Sequence, residues 1–140
     1  MFRMKDCNCI FCKIANGEIP STTLYEDEDF RVILDLGPAT RGHALLLPKE
    51  HYQDLFALDD ETASKVLVTA KKVAGKIKKA MGADGFNLVQ NNGEAAGQTV
   101  FHFHMHMIPR YKDDHAGILW TPGETTQEDM AEIKKLVDAQ

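Results

Sequence analysis

Three histidines alternate with large apolar residues in the segment His102-Phe103-His104-Met105-His106-Met107-Ile108. Successive side chains of a β-strand point to opposite faces, so the imidazoles would share one face and lie about 7 Å apart. Phe103, Met105 and Met107 would point into a core on the other face. Imidazole acts as a nucleophile, a metal ligand or an acid–base group near neutral pH. The segment is therefore the first candidate for chemistry.

Three interpretations fit this spacing. The histidines could form a hydrated strand face, which the strict alternation opposite apolar residues disfavours. They could bind a catalytic zinc ion. One imidazole could instead act as a covalent nucleophile. Spacing alone does not separate the last two.

The composition is typical of one globular domain over residues 1–140, with 44% hydrophobic and 26% charged residues. A net charge of −5 argues against a general nucleic-acid-binding surface. The segment 1–6 lacks the apolar core of a signal peptide, and no apolar run reaches the length of a membrane span. We expect a cytoplasmic protein that binds neither membranes nor nucleic acid.

Hydrophobic periodicity predicts an α+β domain in which helices pack on an antiparallel sheet. Four strands are predicted before the histidine strand, over 24–26, 30–35, 43–47 and 86–90. Pro109 would end the histidine strand itself.

Helices are predicted over 10–16, between Asp59 as N-cap and Gly82 as C-cap, and from about Thr126. The last helix belongs to a C-terminal tail of about 111–140. Its apolar side would form a buried stripe of Met130, Ile133, Leu136 and Val137.

The loop before the histidine strand favours contact with an anion. Gly93 and Gly97 would let main-chain N–H groups approach a phosphate closely. Gln98 and Thr99 would add side-chain donors. The chain has no Gly-x-x-x-x-Gly-Lys-Ser/Thr segment, so no P-loop is predicted.

Cysteines are crowded near the N-terminus, at Cys7, Cys9 and Cys12. An odd, closely spaced set is a poor disulfide framework and fits a metal site or free thiols better. The Cys9-x-x-Cys12 spacing is that of half a zinc site.

The histidine segment resembles the signature of the histidine triad family of nucleotide hydrolases and transferases. The resemblance covers most of the chain, because further segments follow in the family's order, at 8–14, 34–36, 42–49 and 97–102. The pattern is closest to the nucleoside phosphoramidate hydrolases, especially the bacterial members. The resemblance implies the family's small α+β fold and a homodimer that joins the sheets of two subunits.

The resemblance also implies separate roles for the site residues. His104 would attack the α-phosphorus of a nucleoside 5′-phosphate derivative, and water would release the nucleoside monophosphate from the nucleotidyl-histidine. His106 would contact the phosphate or the leaving group, with His43 and Thr99 at the same centre. Thr99 stands where the family most often has serine and keeps the hydroxyl. Asp35 or a main-chain carbonyl would orient an imidazole, and the sequence leaves both open.

The nucleotide, a purine nucleotide by resemblance, would need an apolar slot and polar partners. Asp35 would accept from the ribose hydroxyls, and Asn91 would lie near the phosphate. The phosphate itself would meet Gly97, Gln98, Thr99, His104 and His106. The slot would be lined by Ile10, Phe11, Ile14, Leu36 and Leu45.

Some bacterial members carry a structural zinc ion. The corresponding ligands here would be Cys9, Cys12, His51 and His102. Such a closed Cys₂His₂ set is structural and not catalytic, and it would hold His102 fixed beside the nucleophile. Cys7 is expected to be a free thiol.

Two other functions remain open at this point. The chain could be a nucleotide-binding regulatory module with little turnover, or a zinc hydrolase that uses the triad as ligands. In the tail, Trp120 either reaches the active site of a partner subunit or packs locally.

Overall fold

The computed structural model describes residues 5–6 and 8–140, and within these ranges five strands form one antiparallel sheet. The strands are β1 (Thr23–Glu26), β2 (Phe30–Leu34), β3 (Ala44–Pro48), β4 (Gly85–Val89) and β5 (Met105–Arg110). Their order across the sheet is β1-β2-β3-β5-β4. β5, the histidine strand, thus lies between β3 and β4. The predicted α+β class with an antiparallel sheet is confirmed.

The helices are α1 (Ile10–Ala15), α2 (Asp60–Met81) and α3 (Gln127–Asp138), with short 3₁₀ turns at Leu55–Ala57 and Glu94–Ala96. The long helix has the predicted caps. The Asp59 side chain accepts from the Thr62 N–H at 2.7 Å, and Gly82 adopts the left-handed conformation with φ of 62°.

α2 covers one face of the sheet. Its apolar stripe packs with sheet residues and with Phe103 into the main core. The buried members are Phe30, Val32, Ala44, Leu46, Tyr52, Val66, Ala70, Val73, Ile77, Phe103 and Met107.

α1 contributes to a second apolar cluster on the opposite face. Ile33, Leu45 and Leu47 alternate along their strands with residues of the main core, so they point the other way. They pack with Ala15, and Phe11 and Ile14 lie against them. β3 is buried at all five positions because it is covered on both faces.

The histidine segment departs from the predicted strand. Regular pairing begins only at Met105, so His102, Phe103 and His104 precede β5 in irregular backbone. Phe103 nevertheless points into the core, and its N–H donates to the Tyr52 carbonyl at 2.6 Å.

The sequence predicted that Pro109 ends the histidine strand, and this prediction is wrong. β5 continues to Arg110, and Pro109 faces Phe86 of β4 in register. The pairing of β3 with β5 stops at Met107, so Pro109 lies where β5 has one neighbouring strand and a missing N–H is tolerated.

α3 begins as predicted, with the Thr126 side chain accepting from the Asp129 N–H at 3.1 Å. The prediction that it buries an apolar stripe is wrong for the single chain, since no residue of α3 is buried. The segment 111–126, which connects α3 to the sheet, carries no helix or strand. The stripe residues are 49–66% exposed: Met130, Ile133, Leu136 and Val137. Trp120 is 84% exposed, so it does not pack locally.

Residues 5–6 and 8–140 contain no helix that is both long and apolar enough to cross a membrane.

One glycine inside α2 and one at its C-cap predict opposite effects on stability. Gly82→Ala forces a side chain into the left-handed region and should lower the free energy of unfolding by about 1 kcal/mol. Gly75→Ala, inside the helix with no atom within 4 Å of the added Cβ, should raise it by about 1 kcal/mol. Urea unfolding followed by circular dichroism measures both, and equal effects of the same sign would contradict this account of the helix end.

Candidate active site

One face of the sheet brings the reactive side chains together. Asp35 directly follows β2, His43 directly precedes β3, and the triad leads into β5. The sheet register pairs Leu34 with Ala44 and Leu45 with His106. Asp35 lies two residues from Ile33, His43 lies two residues from Leu45, and His106 pairs with Leu45, so these side chains share the sheet face on which Ile33 and Leu45 pack with α1.

The middle histidine is held by its own strand. Nδ1 of His104 donates to the main-chain carbonyl of His102 at 2.7 Å, so the neutral ring carries its proton there and keeps a lone pair on Nε2. The ring is 7% exposed, and Phe11 packs edge-on against it with centroids 5.0 Å apart. Burial lowers the pKa of His104 below its usual 6.5, so the imidazole is neutral near pH 7.

The third histidine lies beside the second. The ring centroids of His104 and His106 are 5.0 Å apart, and Nδ1 of His106 lies 2.9 Å from Nε2 of His43. Burial, followed by the neighbouring imidazoles, lowers the pKa of His106 to about 4. Burial also lowers the pKa of His43, and the Asp35 carboxylate, 3.5 Å from Nε2 of His43, partly opposes this shift.

The first histidine belongs to a second cluster. Nδ1 of His102 lies 3.4 Å from the sulfur atoms of both Cys9 and Cys12, and Nδ1 of His51 lies 3.3 Å from that of Cys12. Nε2 of His102 donates to the Pro48 carbonyl at 2.9 Å, which leaves the lone pair of Nδ1 facing the thiols.

These four residues fit a zinc ion. Tetrahedral bonds of about 2.3 Å to sulfur and 2.0–2.1 Å to nitrogen put the two ligand atoms about 3.5 Å apart, close to the spacing observed. Cys9 is the N-cap of α1 and Cys12 lies one turn later, so the helix aims both sulfur atoms the same way. Burial raises the pKa of the Cys12 thiol to about 11, and a bound cation would favour the thiolate.

The predicted nucleoside residues separate into two groups. Phe11, Ile14 and Leu45 belong to one apolar cluster, and Phe11 packs against His104. Leu36 is fully exposed, and the preceding Asp35 accepts from the Gly37 N–H at 2.8 Å in the turn that contains it. Ile10 is half-exposed on α1.

The side chain of Gln98 is engaged within the loop and is not a free phosphate donor. Its Nε2 donates to the carbonyls of Gln53 and Val100 at 2.7 and 3.1 Å, and its Oε1 accepts from the Gly93 N–H at 2.8 Å. The expectation that Gln98 and Gly93 offer donors to an anion is wrong for these groups, because the loop uses them to hold its own shape.

The remaining loop residues lie in more open positions. Gly97 has φ of 93°, and a Cβ added there would lie 3.6 Å from Nδ2 of Asn91. Thr99 is exposed and lines a surface cavity with Cys9, Ile10 and His51. Thr99 is thus next to the cysteine–histidine cluster.

Sequence reasoning allowed a main-chain carbonyl as the group that orients an imidazole, but it did not identify which main-chain groups orient the histidines. The Ala39 N–H donates to Nδ1 of His43 at 2.9 Å, and the Pro48 carbonyl accepts from His102. Every residue type has a carbonyl, and all but proline have an N–H. The short spacing between Ala39 and His43 in a turn was the one sequence signal for the bond from the Ala39 N–H to His43.

The chain belongs to the histidine triad family, since the HIT domain model matches residues 16–113. Relatives support this. Protein hit of Bacillus subtilis is 46% identical over 81% of this chain and 79% of its own length. The adenosine 5′-monophosphoramidase of Schizosaccharomyces pombe is 41% identical over 81% and 83%. An adenylylsulfatase of Arabidopsis thaliana is 44% identical over 76% of this chain and 54% of its own length.

Solved structures share the fold. A HIT family protein from Bacillus anthracis superposes with a TM-score of 0.88 at 45% identity, over 96% of this chain and 98% of that one. A zinc-bound histidine triad family protein from Mycobacterium smegmatis gives a TM-score of 0.75 at 37% identity, over 95% and 98%.

The loop bonds of Gln98 predict a structural effect of its removal. Gln98→Met leaves the half-buried Gly93 N–H and the carbonyls of Gln53 and Val100 without their partner and should lower the free energy of unfolding by about 1–2 kcal/mol. The neighbouring exposed Thr99→Val should change it by less than about 0.5 kcal/mol. Urea unfolding compares the two variants. Equal stabilities would mean that the Gln98 bonds contribute little to the fold.

Proposed function

We propose that this chain is a nucleotide hydrolase that transfers a nucleoside 5′-phosphoryl group from a phosphoramidate, or a related nucleoside phosphate derivative such as a dinucleoside polyphosphate, first to His104 and then to water. Hydrolytic activity is a property of its relatives. One is named for an adenosine phosphoramidate and another for an adenylyl sulfate. Both substrates contain an adenylyl group and differ in the leaving group.

The observation that carries the proposal is the hydrogen bond from His104 to the His102 carbonyl. It leaves Nε2 of a neutral, buried imidazole as the nucleophilic atom. In the first step Nε2 bonds to phosphorus while the bond to the leaving-group nitrogen or oxygen breaks, and the leaving group departs with a proton taken up from solvent. In the second step water attacks phosphorus and gives up a proton to solvent, the Nε2–phosphorus bond breaks, and nucleoside monophosphate is released.

The same hydrogen bond assists the reaction electrostatically. As Nε2 bonds to phosphorus, positive charge develops on the ring, and Nδ1–H becomes a stronger donor to the carbonyl. The burial that keeps His104 neutral at rest would otherwise oppose this charge.

The substrate position follows from what surrounds His104. Phe11, Ile14 and Leu45 offer an apolar surface for the nucleoside. Asp35 keeps carboxylate acceptor capacity for ribose hydroxyls, and it lies 3.5 Å from Nε2 of His43. By family resemblance, Thr99, Asn91 and Gly97 are proposed to meet the phosphate.

A zinc ion held by Cys9, Cys12, His51 and His102 would be structural. Four protein ligands close the tetrahedron and leave no position for water. The ion would tie α1 to the segment that carries His104. Zinc would therefore stabilise the site without taking part in the bond changes.

A homodimer would cover the apolar surface that the single chain exposes. α3 presents a stripe of apolar residues to solvent, and β4 is an edge strand with Leu88 half-exposed. A second copy that pairs with this edge would extend the sheet, and the tail with Trp120 could reach its active site.

Mass spectrometry tests the covalent step. Mixed with an adenosine 5′-phosphoramidate, the protein should gain the mass of an adenylyl group on the peptide containing His104 and release adenosine monophosphate. His104→Ala should lose at least about 10³-fold in kcat, because the nucleophile is gone.

Two outcomes contradict the proposal. Normal turnover in His104→Ala would exclude this nucleophile. Tight nucleotide binding by the wild type without adduct or product would instead identify a regulatory binding module.

Zinc content tests the second cluster. The purified protein should hold about one zinc ion per chain, because the ligand set is a closed tetrahedron. Cys12→Ser should lose the ion and lower the melting temperature, whereas His104→Ala should retain it. Loss of zinc from His104→Ala together with retention in Cys12→Ser would show that the triad binds the metal, as a zinc hydrolase requires.

The exposed stripe of α3 predicts an effect on self-association. Ile133→Lys, within the stripe, should weaken the dimer by at least about tenfold in Kd, since it places a charge in an apolar contact. Ala131→Lys, on the other side of the same helix, is the matched control. Sedimentation equilibrium distinguishes them, and a monomeric wild type would contradict the dimer.

A further inference from the structure

A compact cluster of two imidazoles and a carboxylate is formed by Asp35, His43 and His106. The proposed reaction does not explain why these three side chains lie so close together. One ligand atom from each lies within 4.8 Å of the others. Two imidazoles and a carboxylate at such distances are also the donors of many transition-metal sites. The hydrogen bonds around His43 decide between a metal site and another arrangement.

The Ala39 N–H argues against a metal. It donates to Nδ1 of His43 at 2.9 Å, so that nitrogen is an acceptor and the proton of the neutral ring lies on Nε2. A metal ligand needs a lone pair on Nε2, the atom that faces His106 and Asp35. The main chain therefore makes His43 a hydrogen-bond donor at the centre of the cluster.

Because His43 donates from Nε2, it determines which nitrogen of His106 carries the proton. Nε2–H of His43 points to Nδ1 of His106 at 2.9 Å, so that Nδ1 accepts. Neutral His106 must then carry its proton on Nε2. Asp35, at 3.5 Å from the same Nε2 of His43, attracts the shared proton but lies farther away than His106.

We propose that the Ala39 N–H acts through His43 to hold His106 as a donor at Nε2, next to the nucleophilic Nε2 of His104. This inference rests on the proposed function for its catalytic consequence but not for the proton positions themselves. His43 and Ala39 are positioning residues in this arrangement. They act on the substrate only through His106.

The consequence for the reaction is specific. His104 and His106 are adjacent histidines of one motif, yet they hold opposite tautomers: His104 carries its proton on Nδ1 and His106 on Nε2. One ring offers a lone pair and its neighbour offers an N–H. A phosphoryl group attacked by His104 would have a donor for a developing negative oxygen or for the leaving group. His106 would not act as the base that activates water in this state.

Long-range ¹H–¹⁵N spectra of the histidine rings at mildly alkaline pH test the proton positions directly. The wild-type protein should show His43 and His106 with the proton on Nε2 and His104 with the proton on Nδ1. A proton on Nδ1 of His106, or on Nδ1 of His43, would overturn the inference. This measurement needs no substrate.

Removal of the main-chain donor tests the origin of the arrangement. Ala39→Pro deletes the N–H and should give His106 a mixture of both tautomers, while Ala39→Gly keeps the N–H and the wild-type spectrum. An unchanged His106 spectrum in folded Ala39→Pro would overturn the inference. The kcat of Ala39→Pro should fall about tenfold with little change in KM, because one hydrogen bond is affected.

A second pair of variants serves if Ala39→Pro does not fold. His43→Gln keeps an amide N–H that can donate to His106, and His43→Leu has none. His106 should stay protonated on Nε2 in the first and not in the second, and kcat should be restored in His43→Gln by at least about tenfold over His43→Leu. Equal spectra in both would overturn the inference.

The two proposals can fail separately. An enzyme without an adenylyl-His104 adduct but with the expected tautomers disproves the proposed function alone. An adduct formed by a protein whose His106 carries its proton on Nδ1 disproves the tautomer arrangement alone.

Discussion

The hydrogen bond between Nδ1 of His104 and the carbonyl of His102 is the interaction on which the account of this protein depends. It exists because the chain is irregular just before β5. In a fully paired strand between β3 and β4, the His102 carbonyl would bond to a neighbouring strand. Since pairing starts at Met105, that carbonyl is free to accept from an imidazole two residues later.

His102 joins two parts of the molecule. Its ring lies with the cysteines of the N-terminal segment, and its carbonyl orients the candidate nucleophile. The main chain sets the tautomer in each case, through the Pro48 carbonyl for His102 and through the His102 carbonyl for His104. Rigid main-chain partners keep ring nitrogens oriented without adding a titratable group, which suits a site that must stay neutral near pH 7.

Much of this architecture could be predicted from the sequence. The caps of α2, the antiparallel sheet and the meeting of Cys9, Cys12, His51 and His102 follow from local patterns and family resemblance. The role of Gln98 did not, because it depends on which main-chain groups its loop leaves unpaired. The environment of α3 was also mispredicted, since an amphipathic helix reveals an apolar face but not whether its own chain covers it.

The position of phosphorus on a trapped intermediate tests the central claim most directly. ¹⁵N-labelled protein would be mixed with an adenosine 5′-phosphoramidate, quenched under alkaline conditions and examined by ³¹P–¹⁵N correlation. The account predicts a bond between phosphorus and Nε2 of His104, with Nδ1 still protonated. A bond to Nδ1 of His104, or to any other residue, would contradict it.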